Sequence, residues 1–239
     1  MNAKGFEYDP KGHSKHLYYS KSAVMNWVHA AHINEAVARS RGNASAAVLD
    51  VGCSDGEYFY RLQGHYSAAV GLDHNGEALK TLLERMPDPH TVVLQGDACN
   101  LPFPNHGFDV VASLETLEHV YDMPRAVAEF QRVLKPGGAL IVTVPIERGL
   151  SILLKQGVSK LCFGGYRGSY TWAELWNAAI GNMEAVERPS LSSHKGFDYQ
   201  TVIDEIQARF VDVRVCGLPF KPFGAWFNTQ MLVSAKKPA

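Results

Sequence analysis

No apolar run in the 239 residues approaches the length needed to span a bilayer. The first residues are polar and charged, without the basic, then apolar, then small-residue order of a secretory leader. A soluble, cytoplasmic chain is therefore expected. An excess of one charge is also missing: the formal net charge is -1, which supplies no basic surplus for tracking a long nucleic acid. Cysteine is sparse. Cys53, Cys99, Cys162 and Cys216 are widely spaced and form no C-x-x-C pair, so neither a zinc knuckle nor a disulfide framework is expected, only reduced, packed thiols. Internal repeats and low-complexity segments are absent. So is a G-x-G-x-x-G signature leading into a phosphate-contacting helix, which weighs against a dinucleotide-dependent dehydrogenase.

What remains is an ordinary globular composition, 46% hydrophobic and 20% charged, long enough to bury a sizeable core in one domain over residues 1–239. Residues 1 to about 21 are polar and rich in Tyr, Lys and His, and read as an arm or loose cap. A helix follows, capped by Ser22, with Val24, Trp27, Val28, Ile33 and Val37 spaced as a buried stripe and Arg41-Gly42-Asn43 as its end. Short apolar runs then alternate with helical patterns. The runs are Ala47 to Val51, Ala68 to Leu72, Thr91 to Leu94, Phe108 to Ala112 and Leu140 to Val144. The helices between them are Gly56 to Gln63, Gly76 to Arg85 and Met123 to Leu134, the last stopped by Lys135-Pro136-Gly137-Gly138. Such alternation predicts an α/β, doubly wound, mostly parallel sheet covered on both faces. After Pro145 it lapses for about fifty residues and resumes with a helix near Tyr199 to Arg209 and strands Val211 to Val215 and Gln230 to Ala235. The chain thus divides into an arm and cap helix (1–45), a central half (46–145), an insert (146–198) and a C-terminal helix with two strands (199–239).

The strongest local signal is Val48-Leu49-Asp50-Val51-Gly52-Cys53-Ser54-Asp55-Gly56, an apolar strand running into a tight glycine turn that opens a helix. In a doubly wound sheet that turn lies at the carboxyl end of a strand, where ligands bind. Gly52 lets backbone approach the ligand, the free N–H groups of the helix favour an anionic group, and Asp50 adds negative charge nearby. One strand later, Val70-Gly71-Leu72-Asp73 sets a carboxylate about twenty residues after the turn, where a ribose diol is usually gripped. Gly96-Asp97-Ala98 follows the third strand, well placed for an adenine amino group. Each has a plainer reading when taken alone: the turn as strand-to-helix chemistry, Asp73 as a helix cap. Their order and spacing favour a nucleoside-bearing ligand.

With Asp73 and Gly96-Asp97-Ala98, the segments Asp50-Val51-Gly52-Cys53-Ser54-Asp55-Gly56, Phe108-Asp109-Val110-Val111 and Leu134-Lys135-Pro136-Gly137-Gly138 resemble the successive motifs of class I S-adenosylmethionine-dependent methyltransferases. The resemblance covers about residues 46 to 145 and, more weakly, 196 to 236. It implies a Rossmann-like sheet of seven strands with the last antiparallel. It also implies S-adenosylmethionine as cofactor, bound by Asp50, Gly52, Cys53, Ser54, Gly56, Asp73, His74, Asp97, Ala98 and Leu114. Gly52 and Gly56 would flank the methionine part, Asp73 the ribose, and Asp97 with Ala98 the adenine.

Methyl transfer from a sulfonium is an in-line displacement, so the acceptor must be aligned and, if a hydroxyl, relieved of its proton. After the fourth strand the chain reads Ser113-Leu114-Glu115-Thr116-Leu117-Glu118-His119-Val120, and His194 stands in the loop before a later helix. This resembles the metal-binding set of small-RNA 3′-terminal 2′-O-methyltransferases, and ubiquinone-biosynthesis O-methyltransferases share the E-x-x-E-H segment. The resemblance implies that Glu115, Glu118, His119 and His194 hold Mg2+ or another divalent cation that binds a vicinal diol or catechol. The donor set, without thiolate, suits such an ion better than structural zinc. An alternative keeps His119 and His194 as metal-free catalytic groups, and a third gives these residues structural roles.

Residues 149–163, with Leu150, Leu153, Leu154, Val158 and Leu161 near one helical face and Lys155, Lys160, Arg148 and Arg167 elsewhere, read as an interfacial membrane helix or as a lid over the substrate. Trp172, Trp176, Phe197, Tyr199, Phe220, Phe223, Trp226 and Phe227 line an acceptor pocket or pack the core. At helical spacing, Trp172 and Trp176 point to core. The expected function is O-methylation of a small-molecule, sugar or lipid-linked hydroxyl, with peripheral membrane contact through 149–163. The alternatives are an RNA-end 2′-O-methyltransferase, an N-methyltransferase, or a non-catalytic S-adenosylmethionine-binding regulator. The sequence sets no oligomeric state.

Overall fold

The computed structural model describes residues 23–41, 46–153, 155–156 and 170–239. The expectations placed on the arm, Ser22, Gly42-Asn43, Leu154, Val158, Lys160, Leu161, Cys162 and Arg167 lie outside the described residues, as does the side chain of Val24.

The apolar runs form a seven-stranded sheet of β1 (Ala47–Val51), β2 (Ala68–Asp73), β3 (Thr91–Gln95), β4 (Phe108–Leu114), β5 (Leu134–Pro145), β6 (Val211–Leu218) and β7 (Gln230–Lys236), in the order β3-β2-β1-β4-β5-β7-β6. β1 to β5 pair in parallel. β7 runs antiparallel to both of its neighbours, β5 and β6. Strand side chains alternate between two cores, so that Val48 joins one and Leu49 the other, and central strands buried on both faces read as continuous apolar runs.

On one face lie α1 (Ala23–Ser40), α2 (Glu57–Leu62) and α3 (Gly76–Arg85), which contribute Ile33, Phe59 and Leu82. On the other lie α4 (Met123–Val133) and α6 (Tyr199–Arg209), which contribute Phe130, Val202 and Ile206. The short α5 (Trp172–Ile180) packs Leu175 and Ala178 on Ile152 and Met183 in a separate cluster. Helix starts follow side-chain chemistry: Asn75 accepts from Glu77 and Ala78, Asp122 accepts from Arg125, and Thr171 with Glu174 closes a capping box. No described helix is long and apolar enough to cross a membrane.

Three expectations are corrected. α4 stops at Val133, and Leu134 already pairs with Phe108. The ladder then breaks and resumes at Val110 with Ala139, so Lys135-Pro136-Gly137-Gly138 is a kink within a long strand rather than a connection before it. Trp27 is 51% exposed although it shares the periodicity of the buried Ile33 and Val37. Trp172 and Trp176 are 84% and 65% exposed, because α5 turns Leu175, Ala178 and Ala179 inward and its tryptophans out. The two described residues of the 149–163 stripe divide from their neighbour in the same way. Leu150 and Leu153 are exposed while Ile152 is buried.

Candidate active site

The chain leaves β3 at one edge and re-enters the sheet beside β1 as β4, so the crevice of a doubly wound sheet opens at the carboxyl ends of β1 and β4. A cavity of about 620 Å³ lies there, lined by the glycine turn after β1, by Asp73 and His74 after β2, by Gly96, Asp97 and Ala98 after β3, and by residues 114–116 after β4.

The turn is held from beneath. Gly52 sits at φ 81 with its nitrogen donating 2.7 Å to the Leu72 carbonyl, and a Cβ there would fall 2.1 Å from Thr116 Oγ1. Only glycine has room at that crossing of two strand ends. Arg85 of α3 pairs with Asp55 at 2.9 Å and with Glu57 at 3.2 Å, tying the far side of the turn to the helix. Gly56, at φ 82, caps α2 and faces Leu82 rather than the cavity. It is not among the residues that line the cavity. Cys53 is buried against Gly71 and still contributes to the wall.

The Asp73 carboxylate accepts the Ser54 amide at 2.8 Å through Oδ2 and the Asn75 amide at 2.8 Å through Oδ1, so it is fixed at the cavity edge before any ligand arrives. His74 projects outward. Asp97 accepts from the Cys99 amide at 2.9 Å and from the Tyr121 hydroxyl at 3.1 Å, and Ala98 and Leu114 complete the wall. Asp50 is 2% exposed, and its Oδ1 has no hydrogen-bond partner. Burial, with Asp73 close by, pushes its carboxyl up to about 8. An orphaned buried carboxylate in this wall fits the ammonium of an amino-acid moiety, and the fixed Asp73 fits a diol, so the residues present suit S-adenosylmethionine.

Beyond β4 the backbone turns sharply. Glu115 has φ 53 and the 3-10 turn Leu117–His119 follows. Glu118 is 0% exposed with neither carboxylate oxygen hydrogen-bonded, and burial, then the nearby Glu115, push it well above the usual carboxylate range. Its Oε1 lies 3.9 Å from the Nε2 atoms of both His119 and His194, which are 3.3 Å from each other. Burial and the neighbouring His119 hold His194 down to about 4, so it is neutral near pH 7. His119 Nδ1 lies 2.7 Å from the Leu191 carbonyl, and donation there leaves the Nε2 lone pair toward Glu118.

Three donors within 4.8 Å of one another, one of them a buried carboxylate without a partner, fit a divalent cation. Glu115, the fourth member of the expected set, is not in that group. It lines the cavity beside Thr143, Gln230 and Lys155, and burial raises it to about 7. The sequence reading missed Ile33, Tyr58, Thr116 and Tyr121 in the wall. Ile33, Tyr58 and Tyr121 carry no motif, Thr116 lies inside the E-x-x-E-H segment without being singled out, and only the folded chain brings α1 and the β4 loop to the same cavity.

Residues 49–142 match the family described as "Methyltransferase domain". The chain is 40% identical over 96 residues to a phthiotriol/phenolphthiotriol dimycocerosates methyltransferase of Mycobacterium leprae, a match covering 39% of this chain and 35% of that protein. It is 36% identical over 111 residues to a ubiquinone/menaquinone biosynthesis C-methyltransferase of Hahella chejuensis, covering 44% and 45%. The matched segments thus span well under two thirds of these relatives. Among solved structures, the N-methyltransferase NodS from Bradyrhizobium japonicum superposes with a TM-score of 0.57 at 15% identity, covering 87% of this chain and 94% of that one, a likeness of fold. Residues 49–142 thus match a methyltransferase-domain family, within a sheet of order 3-2-1-4-5-7-6 whose β7 is antiparallel, the Rossmann-like fold that the chain shares with solved methyltransferases.

Proposed function

We propose that the chain methylates a hydroxyl oxygen of a small-molecule, sugar or lipid-linked acceptor, with a divalent cation held by Glu118, His119 and His194. The observation that carries this reading is the buried, unpartnered Glu118 beside the imidazole nitrogens of His119 and His194, two residues that line the same cavity as Asp50 and Asp73. When bound, the cofactor supplies an electrophilic methyl on its sulfonium. Asp50 would hold the ammonium of the methionine part, Asp73 the ribose hydroxyls, and Asp97 with Ala98 the adenine. An ion at the cluster would lower the pKa of a coordinated acceptor hydroxyl and fix its direction of attack. Transfer would form the O–C bond as the S–C bond breaks, leaving the electron pair on sulfur and giving the hydroxyl proton to water.

Residues 146–198 would supply the acceptor side of the same domain. Exposed Leu150 and Leu153, with Trp172, Trp176 and Ile180 on α5, support an approach to a lipid-linked acceptor at a membrane surface. The dimycocerosate-directed name of the Mycobacterium leprae relative supports that class as well. The C-methyltransferase relative supports carbon as the competing nucleophile. A vicinal diol at an RNA end offers the same oxygen chemistry, whereas a non-catalytic regulator would bind the cofactor without turnover.

Calorimetry with S-adenosylmethionine, followed by transfer of labelled methyl to a catechol with and without EDTA, tests the reading. Binding with chelator-sensitive transfer is expected. Full activity in EDTA would remove the cation and leave His119 or His194 as proton acceptor, and absence of binding would overturn the cofactor assignment. Flotation with anionic vesicles tests the membrane approach, and a protein that stays at the bottom leaves residues 149–163 only a lid.

A further inference from the structure

The two halves of the candidate cation cluster come from segments 75 residues apart. Glu118 and His119 stand on the turn after β4, and His194 on the loop before α6. Among the described residues no β-sheet pairing joins them, so contacts outside the sheet hold the loop against the turn. Arg188 meets that requirement. Its Nη2 donates to the backbone carbonyl of Glu118 on one segment and, at 3.5 Å, to that of Leu191 on the other. The Leu191 carbonyl is the same acceptor that receives His119 Nδ1. One guanidinium thus reaches both the carboxylate-bearing residue and the group that orients His119.

Arg188 is itself locked in place. Its guanidinium lies 5.4 Å over the Phe197 ring, and Phe197 is buried in the core. A Cβ at Gly196, which has φ 76, would come within 3.0 Å of Arg188 Cβ, so the loop returns closely past the arginine's stem. Nη2 alone carries both hydrogen bonds while Nε carries none, so the flat guanidinium over Phe197 aims one nitrogen between the two carbonyls, which an ammonium on a flexible stem would do less well.

We propose that Arg188 is a positioning residue that clasps the His194 loop onto the Glu118–His119 turn and so assembles the cation cluster. The cation itself rests on the reading given under Proposed function, and the experiment keeps the two apart. Mn2+ affinity, S-adenosylmethionine affinity and amide hydrogen exchange are measured on the whole chain and on Arg188→Ala and Arg188→Lys. The clasp predicts at least tenfold weaker Mn2+ binding in Arg188→Ala, an intermediate loss in Arg188→Lys, native cofactor affinity in both, and faster exchange at the Ser193, Lys195 and Phe197 amides, which are hydrogen-bonded within the loop.

Native Mn2+ affinity with native exchange in Arg188→Ala overturns it. If Arg188→Ala loses cofactor binding as well, its fold is compromised and the lysine variant decides: weakened Mn2+ binding with intact cofactor binding supports the clasp, and native Mn2+ affinity overturns it. If the native chain binds no Mn2+, the cation reading fails. The exchange data then decide the clasp, with acceleration confined to residues 188–197 supporting it and unchanged exchange overturning it.

Discussion

Asp73 is held by two amide donors that belong to the loops it organises, so its carboxylate is fixed at the edge of the cavity where the proposed ribose would lie. Asp73→Ala should weaken S-adenosylmethionine binding at least tenfold, about 1.4 kcal/mol, and unchanged affinity in calorimetry would displace the ribose from this position. Asp50 yields a pH prediction. Its carboxyl ionises near 3.8 in an unfolded chain and near 8 in the fold. Its contribution to stability is complete below about 4 and is lost as pH rises through about 8. An ammonium seated beside it favours the ionised form, so cofactor binding at pH 7 should expel close to one proton. Binding heats that do not change between buffers of different ionisation enthalpy would dissociate Asp50 from the ligand. Glycine specificity at residue 52 is equally direct. Gly52→Ala forces a methyl into Thr116 at a left-handed φ, and should abolish cofactor binding and lower the melting temperature.

At the scale of elements, periodicity made α1 to α4 and α6 readable, whereas the caps that open the described helices were named only by the fold. Asn75, Asp122 and Thr171 each open the helix that follows them. Thr171→Ala removes a capping box and should cost about 1 kcal/mol in denaturant unfolding. Phe130→Ala, in the fully buried stripe of α4, should cost about 3 to 5 kcal/mol. Similar losses for the two would mean that α4 can relax around the void. Periodicity failed where it could not name the inner face. Trp172, Trp176 and Ile180 recur every four residues just as a buried stripe does, yet small Ala178 and Ala179 with Leu175 are what α5 places against Ile152. Lys135-Pro136-Gly137-Gly138 carries every sign of a terminus, and the pairing of Leu134 with Phe108 carries the strand through it regardless.

For the whole molecule, β7 is an interior strand although it lies last in the chain, hydrogen-bonded to β5 on one side and β6 on the other. Removing residues 230–239 should therefore leave a chain without a cooperative unfolding transition, where loss of a sheet-edge strand would leave the rest folded. Circular dichroism on the truncated chain distinguishes the two. The strand-helix alternation, the glycine turn after β1 and the acidic residues after β2 and β3 were legible in the linear chain, because each depends on residues within about twenty positions, whereas the order that sets β7 between β5 and β6 came only from the fold. The Glu118, His119 and His194 cluster was legible only as a set of candidates. Folding brings His194 to Glu118 and His119, leaves Glu115 facing Lys155 and Gln230, and recruits Arg188, which no motif marks. Those outcomes depend on distances between segments some 70 residues apart and on which polar groups are left without water, and both quantities exist only once the chain is packed.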